Sequence, residues 1–149
     1  MSRVILFDGL YSVGLCRQFP NVTFIFGDNT RGFGKGGQAI IRDEPNAFGV
    51  PTKRLPSMTR SAFFREGDED GLEAILAAIG ELWAKLKNGE TILFPVTPDK
   101  EVSLGLGLAK LNETAPSLYG TIALHMKEMA DFYGADHASN GLQLAGLLH

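Results

Sequence analysis

Phe24-Ile25-Phe26-Gly27-Asp28-Asn29-Thr30-Arg31-Gly32-Phe33-Gly34-Lys35-Gly36-Gly37-Gln38-Ala39-Ile40-Ile41-Arg42 is the stretch on which the fold of this chain turns. Its first three residues are apolar and strand-forming, and Gly27-Asp28-Asn29 then demands a sharp change of direction. Gly32, Gly34, Gly36 and Gly37 let the following backbone take positive φ and lie close against a ligand. Lys35 places a cation among these donors, and residues 38–42 read as the start of a short helix that Pro45 and Asn46 end. Strand, glycine loop and helix start, in that order, make an anion site of backbone N–H groups, with phosphate as the natural occupant.

The rest of the chain repeats this alternation. Val4 to Phe7 forms a first apolar strand, and Val22 to Phe26 the second. Residues 10–21 are ambiguous, since Gly14 and Pro20 oppose a long helix there. Residues 47–53 form a brief strand with a polar end, and Leu55 to Arg65 a loop or irregular edge strand. Leu72, Ile75, Leu76, Ile79, Leu82, Trp83 and Leu86 recur at three- and four-residue steps, which predicts one buried helix face. Thr91 to Val96 is apolar throughout, as a strand covered on both sides should be. A polar crossover from Thr97 to Glu101 leads to Ser103-Leu104-Gly105-Leu106-Gly107-Leu108, a second glycine loop. A last helix from about Pro116 carries Leu118, Ile122, Met126, Met129 and Tyr133 on one stripe.

This pattern predicts one α/β domain over residues 1–149, a three-layer α/β/α fold with a mixed, mostly parallel sheet. Both glycine loops should lie at the carboxyl edge of that sheet, where such folds bind ligands. The segment from Gly134 is small and polar, then apolar at Leu142, Leu144, Leu147 and Leu148. It either docks on the body, makes an oligomer contact, or frays as a mobile tail.

Composition excludes some classes. With 149 residues, 44% of them hydrophobic, the chain can bury a core without a metal or disulfide. A net charge of −3 argues against bulk attraction to nucleic acid, although Lys53, Arg54 and Arg60 can form a local basic patch. The lone Cys16 reads as a buried thiol in a reducing compartment. Asp8 interrupts the N-terminal apolar run, no stretch is long enough to span a bilayer, and a cytoplasmic protein is expected. His125, His137 and His149 lack metal-ligand spacing, so no metal or other cofactor is assigned. No Ser, His and acid grouping suggests a triad.

The first loop lacks the Gly-Lys-Ser/Thr ending of a P-loop and the spacing of the dinucleotide fingerprint. Two glycine loops, each after a core strand, suit instead a ligand with two phosphates held from both sides. Asp28 and Asn29 either contact a ribose or base or cap the turn. Thr52, Lys53 and Arg54 either reach phosphate or form a solvated strand end.

Together these pieces resemble the macrodomain superfamily, in particular its branch of terminal ADP-ribose glycohydrolases and antitoxin macrodomains acting on ADP-ribosylated DNA. That branch has a first loop Met-Gly-Lys-Gly-Ile-Ala, to which Phe33 to Ala39 is similar with one extra residue. Its Val-Thr-Lys strand is matched by Val50-Pro51-Thr52-Lys53. Its second loop, Ile-Gly-Cys-Gly-Leu-Asp-x-Leu, resembles Leu104 to Leu111. The likeness spans about residues 22–112.

The resemblance implies an ADP-ribose site with the diphosphate between the loops. Its contacts would come from Gly27, Asp28, Asn29 and the run Gly34, Lys35, Gly36, Gly37, Gln38. Thr52 and Lys53 would join them, as would Ser103, Leu104, Gly105, Leu106, Gly107 and Leu108. By position Lys35 corresponds to a lysine implicated in catalysis, while the branch's catalytic aspartate falls on Ala109. Three functions follow as expectations. The first is binding of ADP-ribose or a related adenine nucleotide. The second is removal of ADP-ribose from protein or nucleic acid by Lys35, with Asp28 in place of the lost carboxylate. The third is a non-catalytic structural or partner-binding role on the same scaffold, motivated by the apolar tail. No membrane partner is expected.

Overall fold

In the computed structural model, which describes residues 3–148, five strands form one sheet. They are β1 (Arg3–Phe7), β2 (Val22–Asn29), β3 (Ala47–Lys53), β4 (Thr91–Pro95) and β5 (Ala135–Ala138), in the order β3-β2-β4-β1-β5. Every pairing between them is parallel, so the sheet expected from sequence to be mostly parallel is parallel throughout among the described residues. The antiparallel element is a lone bridge between Val96 and Val102, just beyond β4.

Side chains alternate across the strands and build a core on each face. Val4, Ile25, Val50, Ile92 and Phe94 face one layer, formed by α2 (Glu69–Lys87) and α4 (Pro116–Tyr133). Ile5, Phe7, Phe24, Phe26 and Leu93 face the other, formed by α1 (Val13–Gln18), the 3-10 turn Gly37–Ile41 and α5 (Gly141–Leu147). This is a three-layer α/β/α arrangement. A short α3 (Leu111–Thr114) joins the second glycine loop to α4.

The buried stripe of α2 is narrower than its sequence pattern suggested. Ile75, Ile79, Leu82 and Leu86 are at most 4% exposed, whereas Leu72 and Leu76 lie 37% and 44% exposed. They sit at the margin of the stripe, where the sheet no longer covers them. The segment after Gly134 belongs to the fold. Ala135–Ala138 pairs with β1 from Val4 to Phe7, and Leu144 is fully buried on the other face. Leu142 stays 85% exposed. The expected helix near residue 37 is a single 3-10 turn, with Ala39 and Ile41 buried beneath it. Residues 10–21 contain only the six-residue α1, opened by Ser12, whose hydroxyl accepts from the N–H of Leu15 at 3.0 Å.

The ladder between β2 and β4 fixes where a ligand can enter. It runs from Val22–Thr91 to Phe24–Leu93 and stops. Beyond that point β2 continues on β3 alone to Asn29, and β4 continues on β1 to Pro95. The chain leaves β2 towards one layer and β4 towards the other, so the two strand ends diverge. That is a topological switch point, the place where open parallel sheets form a crevice.

Candidate functional site

A cleft of about 340 Å³ opens at this split, at the small end of the range for ligand sites. Its floor is the end of β2, at Gly27, Asp28 and Asn29, with Thr52 and Lys53 from the end of β3. One wall is the first glycine loop, through Gly34, Gly36, Gly37 and Gln38; the other is the second, through Ser103, Gly105, Leu106, Gly107 and Leu108. The two walls meet where Gly36 approaches Leu108, whose Cδ1 is 3.9 Å from the position of a Cβ on that glycine.

Glycine is required for different reasons at two of these positions. Gly37 has φ +58° and open space around it, so only its backbone conformation resists a side chain. Gly105 has φ +84°, and a Cβ there would stand 2.7 Å from Cβ of Leu111. The second loop is thereby pressed onto the start of α3, and the N–H of Leu111 donates to the Gly105 carbonyl at 2.6 Å.

Polar side chains hold the loops in register. Asn29 is 7% exposed and serves the first loop: Nδ2 donates to the Phe33 carbonyl at 2.8 Å, and Oδ1 accepts from the N–H groups of Arg31 and Gly32, both at 3.0 Å. Gln38 spans the cleft. Its Oε1 accepts from the N–H of Gly27 at 3.4 Å, and its Nε2 donates to Ser103 Oγ at 3.2 Å. Thr52 donates its hydroxyl to the Asp28 carbonyl at 3.2 Å.

The charges differ most from the sequence reading. Lys35 does not line the cleft; its ammonium, half-exposed, pairs with Asp43 on the far side of the loop. Five residues of positive-φ-rich backbone around Lys35 leave its direction unspecified by sequence, and Asp43 is the nearby countercharge. Leu104 is also outside the cleft, fully buried in the core beneath it. Asp28 lines the cleft, but its carboxylate is engaged: Oδ1 accepts from Arg42 Nη2 at 2.6 Å and from the N–H of Asn29 at 2.7 Å. Arg42, absent from the sequence-based set, also donates from Nε to the Gly34 carbonyl at 2.8 Å and lies over the Phe26 ring.

Lys53 is the buried cation of the site. It is 7% exposed and makes no ion pair among the described residues. Its ammonium donates to the carbonyls of Ser57 at 3.0 Å and Pro56 at 3.4 Å, and lies 5.3 Å from the centre of the Phe63 ring. Burial lowers its pKa from the ordinary lysine value. Arg54, the next residue, turns outward to Asp68 and Asp70 at the head of α2. Its hydrogen bonds hold the Asp70 carboxyl down at about 2 and raise its own pKa. Ala109 lines the cleft with a methyl group where the resemblance places a carboxylate. Arg42 reads in sequence only as part of a helix start, and no local signal pairs it with Asp28, fourteen residues earlier.

A family model described as a family of unknown function (DUF7831) matches residues 6–125. The chain belongs to that family. The matched region begins within β1, holds β2 to β4, both glycine loops and every residue lining the cleft, and ends within α4. No curated protein and no solved structure matches the chain. The family therefore comes with no assigned activity, and the chemistry has to be argued from the cleft.

Among the described residues no three His, Cys, Asp or Glu side chains gather as metal ligands. His125 accepts from Trp83 Nε1 at 3.1 Å, His137 stands 3.5 Å from Asp8, and His149 lies outside the described residues. No helix of the described residues is long and apolar enough to cross a membrane.

Proposed function

We propose that the cleft binds ADP-ribose or a related adenine nucleotide, with the diphosphate between the two glycine loops. The observation that carries this reading is the convergence of both loops and the buried, carboxylate-free ammonium of Lys53 on one crevice at the switch point of a parallel sheet. Backbone N–H groups of a glycine loop suit phosphate oxygens, and an ammonium already held out of water suits them further. Calorimetric titration with ADP-ribose tests the reading: saturable one-site binding supports it, and no heat with no thermal shift at millimolar ligand refutes it.

A second reading is removal of ADP-ribose from a macromolecule. Lys35 is poorly placed for it, being paired with Asp43 outside the cleft. The observation that keeps the reading is Lys53, because a lysine whose pKa is lowered by burial is the kind that serves as base or nucleophile. Asp28 is committed to Arg42 and so serves to position that guanidinium. Turnover of ADP-ribosylated protein or nucleic acid, lost in Lys53→Met and kept in Lys35→Ala, is the expected result of this reading. Equal activity in wild type and Lys53→Met refutes it.

A further inference from the structure

The outer face of the α2–α4 layer carries large apolar side chains that nothing in the chain covers. Leu72 and Leu76 on α2 are joined there by Leu124 and Phe132 on α4, which are 54% and 77% exposed. Each helix also has an exposed glycine in its interior, Gly80 in α2 and Gly120 in α4, and a Cβ on either would meet nothing within 4 Å. Glycine in a helix interior costs about 1 kcal/mol relative to alanine, and no contact inside this chain requires it at either place. Close approach of a second helix from outside is what such a glycine allows.

Size and charge along α2 are matched to their own reverse. At four-residue steps the exposed positions are Leu72, Leu76, Gly80 and Ala84, two large side chains followed by two small ones. In an antiparallel pair of α2 helices centred on Ala78, Leu76 lies opposite Gly80 of the second copy and Leu72 opposite Ala84. Each leucine then enters the gap over a small residue. Glu69 and Lys87, near the two ends, are exposed and form no ion pair among the described residues. The same register sets Glu69 of each copy against Lys87 of the other, and it sets no carboxylate of α2 opposite another. α4 runs beside α2 in the same direction. A Cβ on Gly71 would stand 3.3 Å from Leu118 Cδ1 near the start of both helices, and Trp83 Nε1 donates to His125 further along. The two-fold axis that reverses α2 on itself therefore lays α4 antiparallel on α4 of the copy, with Leu124 near its middle.

We infer that a second copy of this chain docks here, the four helices forming an antiparallel bundle between two sheets. A partner of unrelated sequence would have no use for an order of size and charge that matches its own reverse. Helices of 19 and 18 residues side by side present a face about 28 Å long and about 20 Å wide. Over both copies that is roughly 1,100 Å², just above the ~1,000 Å² that a specific interface needs. The dimer is therefore weak and concentration-dependent, and its two-fold symmetry closes it at two copies. No residue lining the cleft lies on α2 or α4, so the inference does not depend on what the cleft binds.

Sedimentation of the wild-type protein between about 5 and about 500 µM should show reversible conversion of monomer to dimer. Gly80→Leu puts its side chain into open space in the monomer and against Leu76 of the copy in the dimer. It should melt cooperatively and stay monomeric throughout. Adding Leu76→Ala exchanges the large and small positions and should restore the dimer. Lys87→Glu, on the surface, sets a carboxylate against Glu69 twice and should weaken association by about tenfold at low salt. The inference is overturned if wild type stays monomeric at the highest concentration, which would leave the face to a different partner. It is equally overturned if Gly80→Leu dimerises as wild type does, if the exchanged pair stays monomeric, or if Lys87→Glu leaves the dissociation constant unchanged.

Discussion

Replacing Lys53 by methionine should separate ligand binding from stability. Lys53 is 7% exposed, lines the cleft and has no carboxylate partner among the described residues. A hydrogen bond from a charged donor contributes about 1.5–3 kcal/mol, and each 1.4 kcal/mol is tenfold in affinity. Lys53→Met should therefore weaken ADP-ribose binding by about ten- to a hundredfold. Stability should move little. The substitution keeps the apolar stem against Phe63 and removes a charge that burial disfavours, while the carbonyls of Pro56 and Ser57 lie in an exposed loop that water can reach. The two effects offset to within about 1 kcal/mol, which for this size is about 2–4 °C in Tm. Calorimetry and differential scanning fluorimetry on wild type and variant give both numbers. A folded variant whose Kd stays within twofold of wild type would refute the assignment of Lys53 to the anion.

The remaining predictions concern pH, the loops and the core. Because folding lowers the pKa of Lys53, its stability contribution is least favourable below the folded value, where both states are protonated. Stability attributable to this group should rise with pH between the lowered folded value and the unfolded lysine range, while ADP-ribose affinity falls over the same window; urea melts and titrations over the pH range below the ordinary lysine value read both, and a flat affinity contradicts the account. Gly105→Ala places a Cβ at φ +84° and against Leu111, at a cost of about 2 kcal/mol or more, so Tm should drop by about 4 °C or more, whereas Gly37→Ala, with open space, should cost about 1–2 kcal/mol. Arg42→Ala strips the partner from a largely buried Asp28 carboxylate and should destabilise more than the Arg42→Ala, Asp28→Asn double variant; the opposite order in chemical denaturation would show the pair to be unimportant. Cys16 is 1% exposed, with burial and then Glu44 pushing its thiol up to about 11, so native protein should resist thiol reagents at neutral pH that label it fully in denaturant.

The parts legible in the sequence were those written in local patterns. The apolar runs at β1, β2 and β4 have no other use than burial, and glycines at 34, 36, 37, 105 and 107 announce the loops after them. Their convergence follows from the parallel sheet alone, since loops after β2 and β4 must leave by the same edge. What sequence could not give was contact made at a distance. Ala135-Asp136-His137-Ala138 has little strand propensity and becomes β5 because β1 offers an unpaired edge. Lys35 sits in the loop that looks like the site, while Lys53 reads either as a phosphate contact or as a solvated strand end; only the packed structure turns the first outward to Asp43 and encloses the second beneath Pro56 and Phe63. Arg42 was hidden in what read as a helix start. Leu72 and Leu76 fall at three- and four-residue steps too, yet they lie at the edge of the stripe and stay partly exposed.

The most direct test of the central claim is titration of the wild-type protein with ADP-ribose by calorimetry, with free ribose 5-phosphate and ADP as competitors. Binding through a diphosphate between two loops predicts one saturable site, displaced by ADP and hardly affected by ribose 5-phosphate. Absence of heat at millimolar ADP-ribose, or displacement by the monophosphate as effective as by ADP, would contradict it.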